Sequence, residues 1–193
     1  MIKYLNRQLI LSIGSLFVAI TSGEATAGFL PVCERTEAIK QNLTVQTKKA
    51  CEAITPEDLL SIKRVAVNGK NISQFKAEDF SGLRNMEILN IRSNPYTELP
   101  EGLFNDLSSL NTLVIIGTQL SRYPEDFLEA TPLMKQLILF RNAATTLPEA
   151  VLDRLENLRN LEFVEMDRKL EPAVQQRLNE IFPSGGPVNF RFK

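Results

Sequence analysis

Apolar residues along this chain switch spacing in a recurrent way. In residues 86–109, Met86, Leu89 and Ile91 are spaced as in a strand; Asn94 and Leu99-Pro100 interrupt them, and Phe104 and Leu107 return at near-helical intervals. The same switch begins at Ile62, Met86, Leu110, Met134 and Leu158, twenty-four residues apart. The third residue on from each start is apolar (Val65, Leu89, Leu113, Leu137, Leu161), and so is the fifth (Val67, Ile91, Ile115, Leu139, Phe163). Two further columns run Phe75, Leu99, Tyr123, Leu147 and Phe80, Phe104, Leu128, Leu152, with Pro100, Pro124 and Pro148 behind three members of the first. Five starts in register define an internal repeat.

Each unit has a physical reading. The leading segment predicts a short strand whose inward residues are the third and fifth. The Asn position follows, where a side chain with both donors and an acceptor can satisfy a turning backbone. Proline then fixes the turn, and the Phe and Leu positions close the coil on the opposite side. One coil buries little alone, so stability must come from stacking on neighbours.

On these residues the chain resembles the leucine-rich repeat family in its typical twenty-four-residue form, L-x-x-L-x-L-x-x-N-x-L-x-x-L-P-x-x-x-F-x-x-L, with Tyr96 replacing one Leu. The resemblance covers roughly residues 62–165. It implies an α/β solenoid: a curved parallel sheet on the concave face, with short helical or irregular convex segments. It also implies that the chain binds other macromolecules. The chain departs from the pattern in three places. The Asn column reads Lys70, Asn94, Thr118, Asn142, Met166; Thr131-Pro132 interrupts the third unit; and the last unit loses the pattern after Phe163.

The ends predict a leader and two caps. Lys3 and Arg7 precede an apolar run of twelve, and Ala25-Thr26-Ala27 follows as a small-x-small cleavage signal. Residues 1–27 are therefore expected to be an export signal of bacterial type, too short to span a membrane. Cys33 and Cys51 are the only cysteines, and in an oxidising compartment they are expected to pair. Such a bridge contributes about 3 kcal/mol. Residues 28–61 then form a helical cap, with Thr55 as N-cap, Pro56 in first position and Asp58 three residues past the cap. Residues 62–169 hold the repeats. In 170–193, Val174, Leu178 and Ile181 predict an amphipathic helix behind Pro172, and Val188, Phe190 and Phe192 a last strand after a Gly-Gly turn.

Composition narrows the function. The chain has no His, so Ser-His-Asp and Cys-His chemistry is excluded and the usual neutral-pH base is missing. No Gly-rich phosphate loop occurs, and the paired carboxylates Glu57/Asp58 and Glu125/Asp126 are adjacent in sequence rather than set across a cleft. No cofactor or metal is expected: two thiols eighteen residues apart do not make a zinc site. Without its first 27 residues the chain carries 20 basic and 22 acidic groups, which gives no reason to expect nucleic acid. Asn42-Leu43-Thr44 and Asn71-Ile72-Ser73 match the glycosylation pattern, which in bacterial export is a chance match.

What remains is recognition. The residues alternating with the inward ones should face out from the concave sheet: Ala66, Asn90, Val114, Ile138, Glu162 in one column and Asn68, Arg92, Ile116, Phe140, Val164 in the next. Ile88 belongs to the column before them. Val114, Ile116, Ile138 and Phe140 then form an apolar cluster extended by Ile88 and Val164, with Phe140 as anchor and Arg92, Arg141, Glu162 and Glu165 around it. This predicts an exported, non-catalytic protein that binds another protein or a cell-surface component, in the periplasm, at the surface or outside the cell. No membrane span is expected after leader cleavage. The alternative is a structural or scaffolding envelope protein that self-associates through the same patch.

Overall fold

A computed structural model describes residues 30–193, and the expected leader at 1–27 lies outside them. Six parallel strands follow one another in a single sheet in sequence order: β1 (Arg64–Asn68), β2 (Ile88–Arg92), β3 (Thr112–Ile116), β4 (Gln136–Phe140), β5 (Phe163–Met166) and β6 (Asn189–Phe192). Each strand is short because only its third and fifth repeat positions need to reach the core. Val65, Val67, Leu89, Ile91, Leu113, Ile115, Leu137 and Leu139 are all buried, as the spacing predicts.

Register follows the twenty-four-residue period through the first four strands. Ile88 faces Thr112, and Thr112 faces Gln136. The next step is different: Gln136 faces Phe163 and Leu137 faces Val164, twenty-seven residues on. The extra residues belong to a unit whose return segment is a full helix, α3 (Glu149–Asn157), where the preceding units use turns. A helix advances about 1.5 Å per residue against about 3.3 Å for extended chain, so the same crossing takes more residues. The uninterrupted register is therefore corrected for the fifth unit. Leu161, Val164 and Met166 take the inward places, and Phe163 faces out.

Two ladders link the coils. Asn94 Oδ1 accepts from the Lys70 and Ile72 amides at 3.0 and 3.1 Å, while its Nδ2 donates to the Val67 and Arg92 carbonyls at 2.7 and 2.9 Å. Asn142 repeats this against Thr118, Ile115 O and the Tyr123 hydroxyl. Met166, assigned to this column by the unbroken spacing, is instead core, and Asp167 accepts from the Asn142 amide at 3.1 Å. On the convex side the rings of Phe80, Phe104 and Phe127 follow one another at 6.4 and 5.4 Å. Phe127, not Leu128, continues the ring series; Leu128 is also buried but sits at φ +70°.

Short helical segments precede the first coil and pack on it. A 3-10 helix (Val32–Glu34), α1 (Glu37–Thr47), a second 3-10 helix (Cys51–Ala53) and α2 (Pro56–Ser61) precede β1, and Cys33 and Cys51 are joined. Thr55 is the N-cap of α2, and Asp58 returns a bond to its backbone, so the two form a reciprocal cap. Arg35 fastens this segment to the repeats: its guanidinium donates to the Asp79 and Ser81 carbonyls at 3.0 and 2.7 Å. Desolvation pushes it down to about 10, with Asp79 and then Asp106 opposing. At the far end α4 (Pro172–Ile181) packs on α3, and β6 adds its rung. Among the described residues no helix is long and apolar enough to cross a membrane.

Candidate recognition surface

Alternate side chains of the strands build the exposed face of the sheet. Register sets Asn90, Val114, Ile138, Glu165 and Arg191 side by side, and beside them Arg92, Ile116 and Phe140. Adjacent strands lie about 4.8 Å apart, so these side chains touch across the strands. The expected cluster of Val114, Ile116, Ile138 and Phe140 is thus assembled, with Ile88 at its margin.

Two residues assigned to this face lie elsewhere. Val164 is 0% exposed and continues the inward column between Leu137 and Phe190. Glu162 precedes β5 and pairs with Lys135 at 3.3 Å on the leading edge of the sheet. Both misplacements come from the three residues added at α3. Glu165 takes the place of Glu162 beside Ile138, and Phe163 joins the face beside Gln136.

The cluster is also more covered than alternation alone implies. Ile88, Ile116 and Ile138 are half-buried, whereas Val114 is buried and Phe140 is only 9% exposed. Two cations lie over the Phe140 ring. Lys193 Nζ stands 4.5 Å from its ring centroid and the Arg141 guanidinium 5.7 Å. Lys193 is held there by Glu165, 3.6 Å away, which also takes Arg191 at 2.5 Å. Glu165 is 2% exposed, so a carboxylate on this face is neutralised by residues of and just after β6. Nothing in the sequence pattern linked residue 193 to residue 140; the link needs the sixth strand in its observed register.

Charge differs between the two edges. At the leading edge Lys63, before β1, pairs with Glu87, before β2, at 3.2 Å, and Lys135, before β4, pairs with Glu162, before β5; Arg64 at the start of β1 is exposed and has no ion-pair partner among the described residues. At the trailing edge, Lys70, Arg92 and Arg141 are exposed and have no ion-pair partner among the described residues. Arg92 Nε donates to Asn90 Oδ1 at 2.8 Å, which holds the guanidinium along the face and leaves its terminal nitrogens free among the described residues. Arg141 sits at φ +57°, the left-handed turn position that is Gly69, Ser93 and Gly117 in the earlier coils.

The sheet edge beside β1 is closed from within. Asn42 Nδ2 donates to Ala66 O at 3.0 Å and Gln46 Nε2 to Arg64 O at 2.8 Å, so α1 occupies carbonyls that an unpaired edge would offer to another strand. The Asn42 amide nitrogen is engaged in that contact, while Asn71 is exposed. Arg64, Ala66 and Lys70 line a groove of about 430 Å³ with this helix. The acid and thiol groups close enough to share a metal among the described residues are Cys33, Cys51 and Glu52, and both sulfurs are consumed in the disulfide.

Solved structures with this arrangement are leucine-rich repeat proteins. One, from Leptospira interrogans, is 24% identical over 72% of this chain and 34% of its own, with a TM-score of 0.57. Another, an internalin (InlF) of Listeria monocytogenes, is 14% identical over 88% of this chain and 55% of its own, with a TM-score of 0.56. The fold is a leucine-rich repeat solenoid. The chain spans a third to about half of the length of these neighbours. No protein-family model matches the chain, and no curated protein matches it. In this fold the exposed face of the sheet is the concave one.

Proposed function

We propose that this protein is an exported, non-catalytic recognition module that binds another protein or a cell-surface component through its concave face. The observation that carries the reading is the contiguous apolar strip of Ile88, Val114, Ile116 and Ile138 on the face of the sheet that the core does not use. Half-buried branched side chains in register, with cations beside them, have the composition of an interface core and rim. Export is supported by the leader-like sequence of residues 1–27 and by the Cys33–Cys51 bridge, since disulfides persist in oxidising compartments.

The test is capture from envelope and culture fractions by the wild-type chain and by Ile116→Asp and Ile138→Asp, with each captured species purified and titrated against all three. Loss of affinity in both folded variants supports the reading. Equal capture by all three refutes it. Sedimentation of the isolated chain separates recognition from the scaffolding alternative: a concentration-dependent mass that both substitutions abolish means self-association.

A further inference from the structure

Resting on that reading, we infer the chemistry of the partner: an acidic polypeptide segment that lays an apolar side chain on Ile116 and Ile138 and carboxylates against Arg92 and Arg141. The argument starts from which charges are already satisfied. Lysines at the leading edge are paired with glutamates, and Glu165 is neutralised by Arg191 and Lys193. Asp167, near the trailing edge, accepts the Asn142 amide at 3.1 Å. The trailing edge is left with the unpaired cations Lys70, Arg92 and Arg141 among the described residues, alongside the apolar strip.

Those cations are not the surplus of a basic protein, because the chain carries 22 basic against 23 acidic residues. They are local. Arg92 is anchored through Nε, so its terminal nitrogens present the two-pronged donor set that a carboxylate fits. Ile116 separates Arg92 from Phe140 in register, which puts an apolar seat between the two guanidinium groups. Arg141 occupies a left-handed turn where Gly69 and Gly117 stand in sister coils, so a cation is held where glycine would suit the backbone better. A carboxylate arriving at this edge would also compete with Glu165 for Lys193 and uncover Phe140.

A polypeptide suits this surface better than a phosphate polymer or a lipid headgroup. Nucleic acid calls for a continuous basic track, and here apolar side chains occupy the middle of the face. A polypeptide supplies both halves, an apolar side chain and a carboxylate within a few residues.

The experiment selects a phage-displayed random peptide library on the full chain, then measures retained peptides against wild type, Ile116→Asp, Arg92→Gln and Arg141→Gly. Arg141→Gly removes the cation while giving the backbone the residue its turn prefers, and a circular dichroism spectrum matching wild type separates its losses from unfolding. Expected are peptides with Asp or Glu beside Phe, Leu or Ile, a weakening of about tenfold or more in each Arg variant, and weakening with added salt. Peptides without acidic residues that are lost in Ile116→Asp but kept by both Arg variants overturn this inference and leave the concave-face reading standing. Selection indifferent to all three variants overturns both. Phosphatidylglycerol vesicles run in parallel: binding to them that the Arg variants abolish, with no acidic peptides selected, assigns the edge to an anionic lipid surface and overturns the polypeptide.

Discussion

Adjacent residues Phe163 and Val164 should respond oppositely to the same substitution. Val164 is 0% exposed in the inward column, and Phe163 is half-buried on the concave face beneath Arg191, whose guanidinium lies 5.0 Å from its ring centroid. Val164→Asp removes a buried side chain worth about 1.5–3 kcal/mol. It also strands a carboxylate among apolar neighbours, adding at least about 2 kcal/mol. A loss of about 4 kcal/mol or more, against the 5–15 kcal/mol typical of a domain, leaves the variant unfolded or barely folded. Phe163→Asp gives up half of a burial and places its carboxylate near Arg191, so about 1–2 kcal/mol is expected. Urea unfolding followed by circular dichroism at 222 nm or a similar far-ultraviolet wavelength (about 220 nm) reads both. An unbroken twenty-four-residue register would bury Phe163 and expose Val164. Equal losses, or a larger loss for Phe163→Asp, would therefore refute the register of β5 and with it the place of Glu165 on the face.

Three further outcomes follow from single contacts. Asn94→Ala leaves the buried Ile72 amide and the part-buried Lys70 amide without their acceptor and should cost about 2–5 kcal/mol in urea unfolding; a loss under about 1 kcal/mol would show that water replaces the side chain. Ser93→Gly and Arg141→Gly relieve left-handed backbone at φ +53° and +57° and should each raise stability by up to about 1 kcal/mol, read as a higher urea midpoint. A lower midpoint for Arg141→Gly would mean that its contact with Phe140 outweighs the turn. Asp58 is held below its ordinary 3.8 by Lys49 first and then by the Thr55 amide. Its folded value is depressed, so its contribution is present above 3.8 and is lost as pH falls through the lower folded value. The melting-temperature gap between wild type and Asp58→Asn should close on going from about pH 5 to about pH 2, and a gap that persists would contradict the capping role.

Legibility in the sequence tracked how local the determining physics was. Strands β1 to β4 could be read because each inward pair is fixed by its own alternation and confirmed by copies at a constant interval. Thr55, Pro56 and Asp58 announced a helix start for the same reason, since a capping box is complete within four residues. The fifth strand was misaligned because its offset depends on the convex segment forming α3, and Leu161 and Phe163 are apolar enough to satisfy the unbroken period. Glu165 was placed near the patch, yet its burial under Arg191 and Lys193 depends on a strand twenty-six residues later. Phe140 could be found as an outward aromatic, but not as a covered one. Its cover comes from the far end of the chain.

These corrections concentrate the candidate site. Residues of and just after β6 satisfy the charge that β5 would otherwise present, so the face beyond Phe140 offers a partner little that is unpaired among the described residues. At the other end, Asn42 and Gln46 close the carbonyls of β1. Between these lie β2, β3 and β4, where the period is unbroken and the outward side chains are in register. Unsatisfied groups of both kinds coincide there: half-exposed isoleucines across the strands and unpaired Arg92 and Arg141 at their trailing ends. A partner held mainly by the isoleucines would bind with weak salt dependence, and one held also by the arginines would lose affinity steadily as salt rises. The slope of affinity against ionic strength therefore measures how far recognition extends past the apolar strip to the edge.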